Sequence, residues 1–364
     1  MNYRLATILS RLAVASDYTE TIDLNLVDPV SQFHVLYEST GGSPGQDTGH
    51  AARCITKIEL IDGSDVLFSL SGQEAQAVDF YHQRKEPANL NVYLNGMNCE
   101  QVFNMNFGRH LYDPRFAFDP RKFSNPQLKI TIDRDAGGHV STAGFLTVLA
   151  KIFDGKAVEP EGFLMHKEVK NYGLGPASHE YTDLPTDFPY RKLLVMAQTE
   201  GTGADYLLDT LKLSEDNDRK IPIDSTIVNI LRALCGQTPV YRESILFAAG
   251  LAEISFYCTP CYWPLIGCSP WDPGAETHIG TVYGGDGGKG TLYTEMAGGN
   301  WILSVEGYAP HGAIEIPFGL QGDPDDWYDV SAIGNLRLDI LSKAGRSASD
   351  TVQIVLQQLR KYAA

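Results

Sequence analysis

Cys258-Thr259-Pro260-Cys261, followed by Cys268, is the spacing in this chain that comes nearest to a metal or redox centre. Zinc takes four ligands, and a second Cys-x-x-Cys pair is missing. His278 could add a ligand, but Tyr257, Tyr262, Trp263 and Trp271 around the motif read better as a packed aromatic loop. Redox chemistry would want a βαβ surround, which the motif lacks. Whether Cys258, Cys261 and Cys268 hold metal or form a disulfide stays open at this level. Gly284-Gly285-Asp286-Gly287-Gly288-Lys289-Gly290 has the glycine density of a phosphate cradle, yet Tyr283 stands where the first glycine belongs and Gly290 where Ser or Thr would bind magnesium. The run reads as a flexible hairpin tip. Asp323, Asp325 and Asp326 have the oxygen chemistry of a calcium site, but the related turn earlier in the chain offers only Asp113, which favours a solvated loop. The nine histidines are scattered, with no His-x-His pair for a cupin metal centre, and no Gly-x-Ser-x-Gly elbow occurs. No catalytic, cofactor-binding or metal residue is assigned, no cofactor is expected, and the chain reads as a non-enzyme.

The elements that must position any site are short strands. The 364 residues suit two domains, and 43% hydrophobic with 20% charged residues describes a globular chain. Thirty-five glycines, 19 prolines, 18 tyrosines and 15 phenylalanines favour strands joined by tight turns, hence a sandwich or barrel. A formal net charge of -16 argues against a broad nucleic-acid-binding face, which needs clustered Lys and Arg. Six cysteines are too sparse for a disulfide framework in a chain this long. Ala13-Val14-Ala15 imitates a signal-peptide cleavage site, but Arg11 interrupts the apolar run before it. Nothing approaches the roughly 20 apolar residues of a membrane span.

The same unit occurs twice. Ile22-Asp23-Leu24 leads through Pro29 into Phe33 to Tyr37, and Thr182-Asp183-Leu184 leads through Pro189 into Lys192 to Met196. A hairpin with Thr56, Ile58 and Leu60 turns at Asp62-Gly63, returns as Val66 to Leu70, and enters a helix capped by Ser71 and Glu74, with Ala77, Val78 and Tyr81 as its apolar stripe. The second copy runs Thr210 to Leu213, turns at Asp216-Asn217, returns through Lys220 to Ile223 and enters a helix near Asp224. Ile227, Ile230, Leu231 and Leu234 line its buried face, and Gly236 stops it. Val102 to Gly108, Asp113-Pro114 and Leu128 to Ile132 find counterparts in Ile314 to Gly319, Asp323-Pro324 and Leu336 to Ile340. Each copy closes on an apolar strand, Phe145 to Ile152 and Thr351 to Leu359.

In these ordered elements the chain resembles the double jelly-roll major capsid proteins of tailless icosahedral viruses, the lineage of adenovirus hexon and the tectivirus shell protein. The resemblance rests on Ile58 to Leu67 before the helix, Asp183 to Leu194 opening the second unit, and the paired Phe-Gly, Asp-Pro and late-strand elements, from about Thr19 to Leu359. It implies an all-β chain of two tandem eight-stranded jelly rolls with short helices in the loops, standing upright in a shell. Three subunits would then form a pseudo-hexagonal homotrimer. The implied partners are further copies of the chain, penton and minor capsid proteins, and an internal membrane reached by the N-terminal arm, with no direct sequence-specific nucleic-acid binding. The implied location is the virion, after synthesis in the host cytoplasm.

The division that follows is an arm at 1–18, a first roll at 19–170 and a second at 171–364, with Asp154 onward read as a linker and a surface insertion at about 237–300. Leu5, Ile8, Leu9, Leu12 and Ala13 recur at helical spacing, as an assembly arm or as a helix packed on its own roll. In the insertion, Tyr262, Trp263 and Trp271 supply a small local core for an outward crown. Two other classes compete: a carbohydrate-binding or glycan-processing pair of β-sandwiches, using those aromatics as its sugar platform, and a bicupin metalloenzyme.

Overall fold

The computed structural model describes residues 2–15, 17–42, 49–137, 141–155, 158–248, 252–272, 279–295 and 299–362. Its first unit opens with β1 (Tyr3–Val14), β2 (Tyr18–Asp23) and β3 (Val30–Gly41), then passes through the hairpin β4 (Ile55–Asp62) and β5 (Asp65–Leu70) into helix α1 (Gly72–Gln83). After the short β6 (Asn91–Tyr93) it ends on β7 (Asn98–Asn106), β8 (Pro126–Ile132) and β9 (Ser141–Phe153). The second unit opens with β10 (Gly162–Gly173), β11 (His179–Leu184) and β12 (Tyr190–Gln198), crosses the one-turn helix α2 (Ala204–Leu207), and runs through β13 (Leu208–Glu215) and β14 (Lys220–Thr226) into α3 (Ile227–Gln237). Six strands intervene, β15 (Tyr241–Ala248), β16 (Ala252–Tyr257), β17 (Pro260–Pro270), β18 (Gly280–Gly284), β19 (Lys289–Thr294) and β20 (Asn300–Pro310). Then β21 (Ala313–Pro317), β22 (Leu336–Ser342) and β23 (Thr351–Lys361) complete it.

The first unit lays its strands in the orders β1-β9-β3-β7 and β2-β8-β4-β5, and the second repeats them as β10-β23-β12-β21 and β11-β22-β13-β14. Each set is the pair of four-stranded sheets of one eight-stranded jelly roll, so the chain is a double jelly roll. Period-two alternation explains the sandwich: Leu128, Ile130 and Ile132 of β8, and Leu146, Val148, Ala150 and Ile152 of β9, all point into the core. Between β4 and β5 the turn places Gly63 at φ 60°, the left-handed conformation that glycine tolerates. Ser71 and Glu74 form the expected capping box on α1. That helix carries more than an apolar stripe, since Glu74, Gln76 and Asp79 are buried with it. It lies between β7 of its own roll and strands β20 and β21 of the second unit, so water is excluded from its polar side too.

The structure corrects several expectations. Residues 3–14 are a strand rather than a helical arm: β1 pairs antiparallel with β9 from Tyr3 opposite Phe153 to Val14 opposite Gly144. Register shifts between Thr7 and Leu9 and between Leu9 and Leu12 turn Ala6, Ile8, Leu9 and Leu12 inward, and these irregularities imitate a helical period. Most of the expected linker is likewise strand, because β10 stands in the second roll where β1 stands in the first, and the boundary set near Asn171 falls inside it. Helix α3 is capped by Thr226 rather than starting near Asp224, and it passes through Gly236 to end at Thr238. The inserted strands run on to Pro310, ten residues beyond the expected end. Their main sheet, β17-β20-β15-β6, recruits β6 from the first unit, and β16-β19-β18 forms a second. Trp263 and Trp271 are 64% and 56% exposed, so they are no local core. That role falls to Phe247, Phe256, Leu292, Trp301, Leu303 and Val305, alternating residues of paired strands.

Candidate functional site

The residues whose types suggested chemistry are mostly occupied in structure. Cys258 and Cys261 are buried, and their thiols donate to the carbonyls of Pro260 at 3.6 Å and Thr259 at 3.5 Å, while Cys268 donates to Gly280 at 3.6 Å. Burial pushes the Cys261 thiol up to about 12 and the Cys258 thiol well above its ordinary value, away from the thiolate that metal binding and redox exchange require. His278 lies outside the described residues. The glycine run closes the β18–β19 hairpin but is not a free tip, since a Cβ on Gly287 would sit 2.3 Å from the backbone nitrogen of Thr202. Asp323 caps its own turn by accepting from Asp325 N at 3.1 Å, and Asp326 accepts from Leu320 N at 2.6 Å. Asp113, by contrast, is buried and accepts from Arg109 Nε at 2.6 Å.

One polar cluster joins the inserted strands to both rolls. His50 and His311 meet edge to face with ring centroids 4.8 Å apart. His50 Nε2 lies 3.1 Å from Thr259 Oγ1, which donates to Glu243 Oε2 at 2.8 Å, while Asn91 donates to the same oxygen at 3.0 Å. His311 Nε2 lies 2.9 Å from Gln76 Oε1 on α1. Burial holds His50 down at about 3 and lifts the Glu243 carboxyl to about 7. These groups hydrogen-bond one another, and Asn91 and Glu243 also line an open groove of about 790 Å³.

The junction between the rolls is the more developed site. Strand β5 pairs parallel with β10, His166 opposite Phe68 and Lys167 opposite Ser69, which fuses one sheet of each roll into a continuous eight-stranded sheet. Beside it the buried Lys192 Nζ lies 2.5 Å from Glu315 and donates to the Tyr81 carbonyl at 2.7 Å. Arg84 at the end of α1 reaches the same carboxylate at 2.8 Å. Arg191 Nη1 lies 3.1 Å from His82 Nδ1 and donates to Gln357 at 3.3 Å, and Gln357 in turn lies 2.6 Å from His166 Nε2. Burial lowers Lys192 to about 8 despite the attraction of Glu315, Arg191 to about 10 and His166 to about 3. Farther along, Arg109 Nη1 donates to the Gly322 carbonyl at 3.0 Å, and Phe116 packs on Trp327 with centroids 6.1 Å apart. Such a buried ionic seam adds little net stability over an apolar one, but it fixes how two surfaces meet. Sequence reading missed it, although Glu315 stands as a lone charge in an apolar strand and Arg191-Lys192 as a charged pair at the head of another.

Neither a protein-family model nor a curated protein matches the sequence. The fold does match solved structures over its whole length. The major capsid protein P2 from bacteriophage PM2 is 14% identical with a TM-score of 0.57, over 99% of this chain and 98% of that one. The STIV MCP is 11% identical with a TM-score of 0.62, over 100% and 98%. PBCV-1 VP54, fitted into a reconstruction of the virophage Sputnik, is 11% identical with a TM-score of 0.58, over 98% and 94%. The chain thus has the fold of the double jelly-roll major capsid proteins.

Proposed function

We propose that this chain is a major capsid protein, a structural, non-catalytic component that builds the shell of an icosahedral virion by associating with copies of itself. The observation that carries the reading is the match of both rolls together, in one chain and at nearly full mutual coverage, to capsid proteins. Single jelly rolls serve many functions, whereas a pair locked by a buried ionic seam is suited to a rigid tile. On this reading the first roll runs from Tyr3 to Phe153 and the second from Gly162 to Lys361, with the inserted strands as a crown. Homotrimers of pseudo-hexagonal outline, contacts with penton and minor capsid proteins, and a virion location after synthesis in the host cytoplasm belong to the same proposal. Solution mass and electron microscopy of the purified chain test it: trimers with a sixfold outline, or shells, are expected, and a stable monomer at micromolar concentration overturns it.

A further inference from the structure

The two rolls meet head to tail. In the first roll β5 is the outer strand of its sheet, in the second β10 is the outer strand of the other sheet, and these two pair. The complementary outer strands, β14 in the second roll and β1 in the first, each stand at the end of a sheet order with no neighbour among the described strands. A twofold relation between the rolls would have closed both pairs within the chain. One pair is left open at each end, which is the signature of a heterologous contact that continues onto another copy.

Equivalent positions follow from the ladders. Both β1 and β10 carry a register irregularity against the closing strand, between Thr7 and Leu9 and between Glu168 and Lys170, which matches Leu5 to His166 and Ala6 to Lys167. Ser71 and Thr226 are both N-caps of the helix after the hairpin, which matches Phe68 to Ile223 and Ser69 to Asp224. The Phe-Gly pairs at Phe107 and Phe318 match Arg109 to Leu320 and Leu111 to Gly322. Resting on the self-assembly reading, we infer that β14 of one copy pairs in parallel with β1 of a second copy, Ile223 opposite Leu5 and Asp224 opposite Ala6, while Leu320 meets Leu111 across the same interface.

The surfaces agree. Leu5, Leu111 and Leu320 are 60%, 46% and 68% exposed in the single chain, and the inferred contact covers all three. Within the chain the loop contact is polar, Arg109 on the Gly322 carbonyl. Between copies it becomes leucine on leucine. The flanking charges differ in sign: the loop after β7 carries Arg109, Arg115, Arg121 and Lys122 against Asp113 and Asp119, with Arg115 and Arg121 paired to Glu161 and Asp119, which leaves it net positive, while its counterpart after β21 presents exposed Asp323, Asp325 and Asp326 and no basic residue. Like loops therefore repel and unlike loops attract, which favours first roll against second over either roll against itself.

Paired cysteines test the inference in the full chain. Leu111→Cys with Leu320→Cys is expected to give covalent multimers on oxidation, absent from the wild type and from either single variant, because a heterologous contact never brings one position against its own copy. Leu5→Lys is expected to weaken self-association about tenfold or more with an unchanged melting temperature, since a charge on the edge strand blocks pairing. Cross-linking no greater than in the single variants, in a chain that light scattering shows to be oligomeric, overturns this interface and leaves the assembly reading standing. An unchanged oligomer in Leu5→Lys overturns the strand pairing. A monomeric wild type overturns both.

Discussion

The ammonium of Lys192 lies 2.5 Å from the carboxylate of Glu315, and both residues are almost wholly withdrawn from water where the two rolls join. Glu315→Gln would leave Lys192 buried with its charge uncompensated, so it is expected to cost about 3–5 kcal/mol in urea unfolding. Replacing Lys192 by Met and Glu315 by Leu together should recover most of that loss, because no buried ammonium is left unpaired and Arg84, about a third exposed, can turn its charge to water. A single Glu315→Gln substitution that left the transition midpoint in place would show the pair to be exposed in solution.

Stability should fall in acid, and the sign can be worked out group by group. Burial holds His50 and His166 at about 3, and His82 and His311 well below 6.5, so between about 3 and 6.5 the unfolded chain binds protons there that the folded chain does not. Glu243, raised to about 7, and Glu74, raised to about 8, act in the opposite direction from 4.5 upward. Four strongly lowered histidines outweigh Glu243 and Glu74 together with the lesser upward shifts that burial gives Asp79 and Asp205, so the thermal midpoint is expected to be lower at pH 4.5 than at pH 6.5. Glu74→Gln keeps an acceptor for Ser71 N and should raise the midpoint at pH 8 more than at pH 4.5. Equal effects at both values would place the Glu74 carboxyl in water.

Deleting residues 1–16 removes a strand rather than a detachable arm. The sheet β1-β9-β3-β7 would lose its outer member and expose the inner side chains of β9. The expected result is loss of cooperative melting in the first roll, read by calorimetry. A truncated chain that melts at the wild-type temperature would mean that β1 contributes nothing to the roll.

The glycine run at 284–290 should resist protease in the intact chain. Gly287 has φ 61° and lies against Thr199 and Thr202, so Gly287→Val meets backbone as well as a disfavoured conformation. Limited proteolysis of the two proteins, with cleavage sites read by mass spectrometry, is expected to show new cuts in this hairpin only in the variant. Equal cleavage in both would mean that the hairpin is undocked in solution.

Much of the fold was legible because it depends on local chemistry. Alternation in Leu128 to Ile132, the Asp62-Gly63 turn and the Ser71–Glu74 capping box each act over a few residues, and their recurrence in order exposed the duplication. The first strand of each roll was not legible. In β1 two irregularities reproduce a helical spacing, and β10 is fully buried only from Gly162 to His166 and turns charged where it emerges, at Lys167, Glu168 and Lys170, so no single period runs along it.

What the sequence determined by itself was an all-β chain of two like units with an insertion in the second, since hydrophobic period, turn residues and caps are properties of neighbours along the chain. What only the tertiary structure decided was which polar groups end up out of water. Lys192 and Glu315 are 123 residues apart, and His50 and His311 are 261 apart, so nothing local marks them as partners. Their pairing arises because β5 meets β10 and the inserted strands fold back over α1, and a buried charge or imidazole must then find its partner on whichever strand the topology brings beside it.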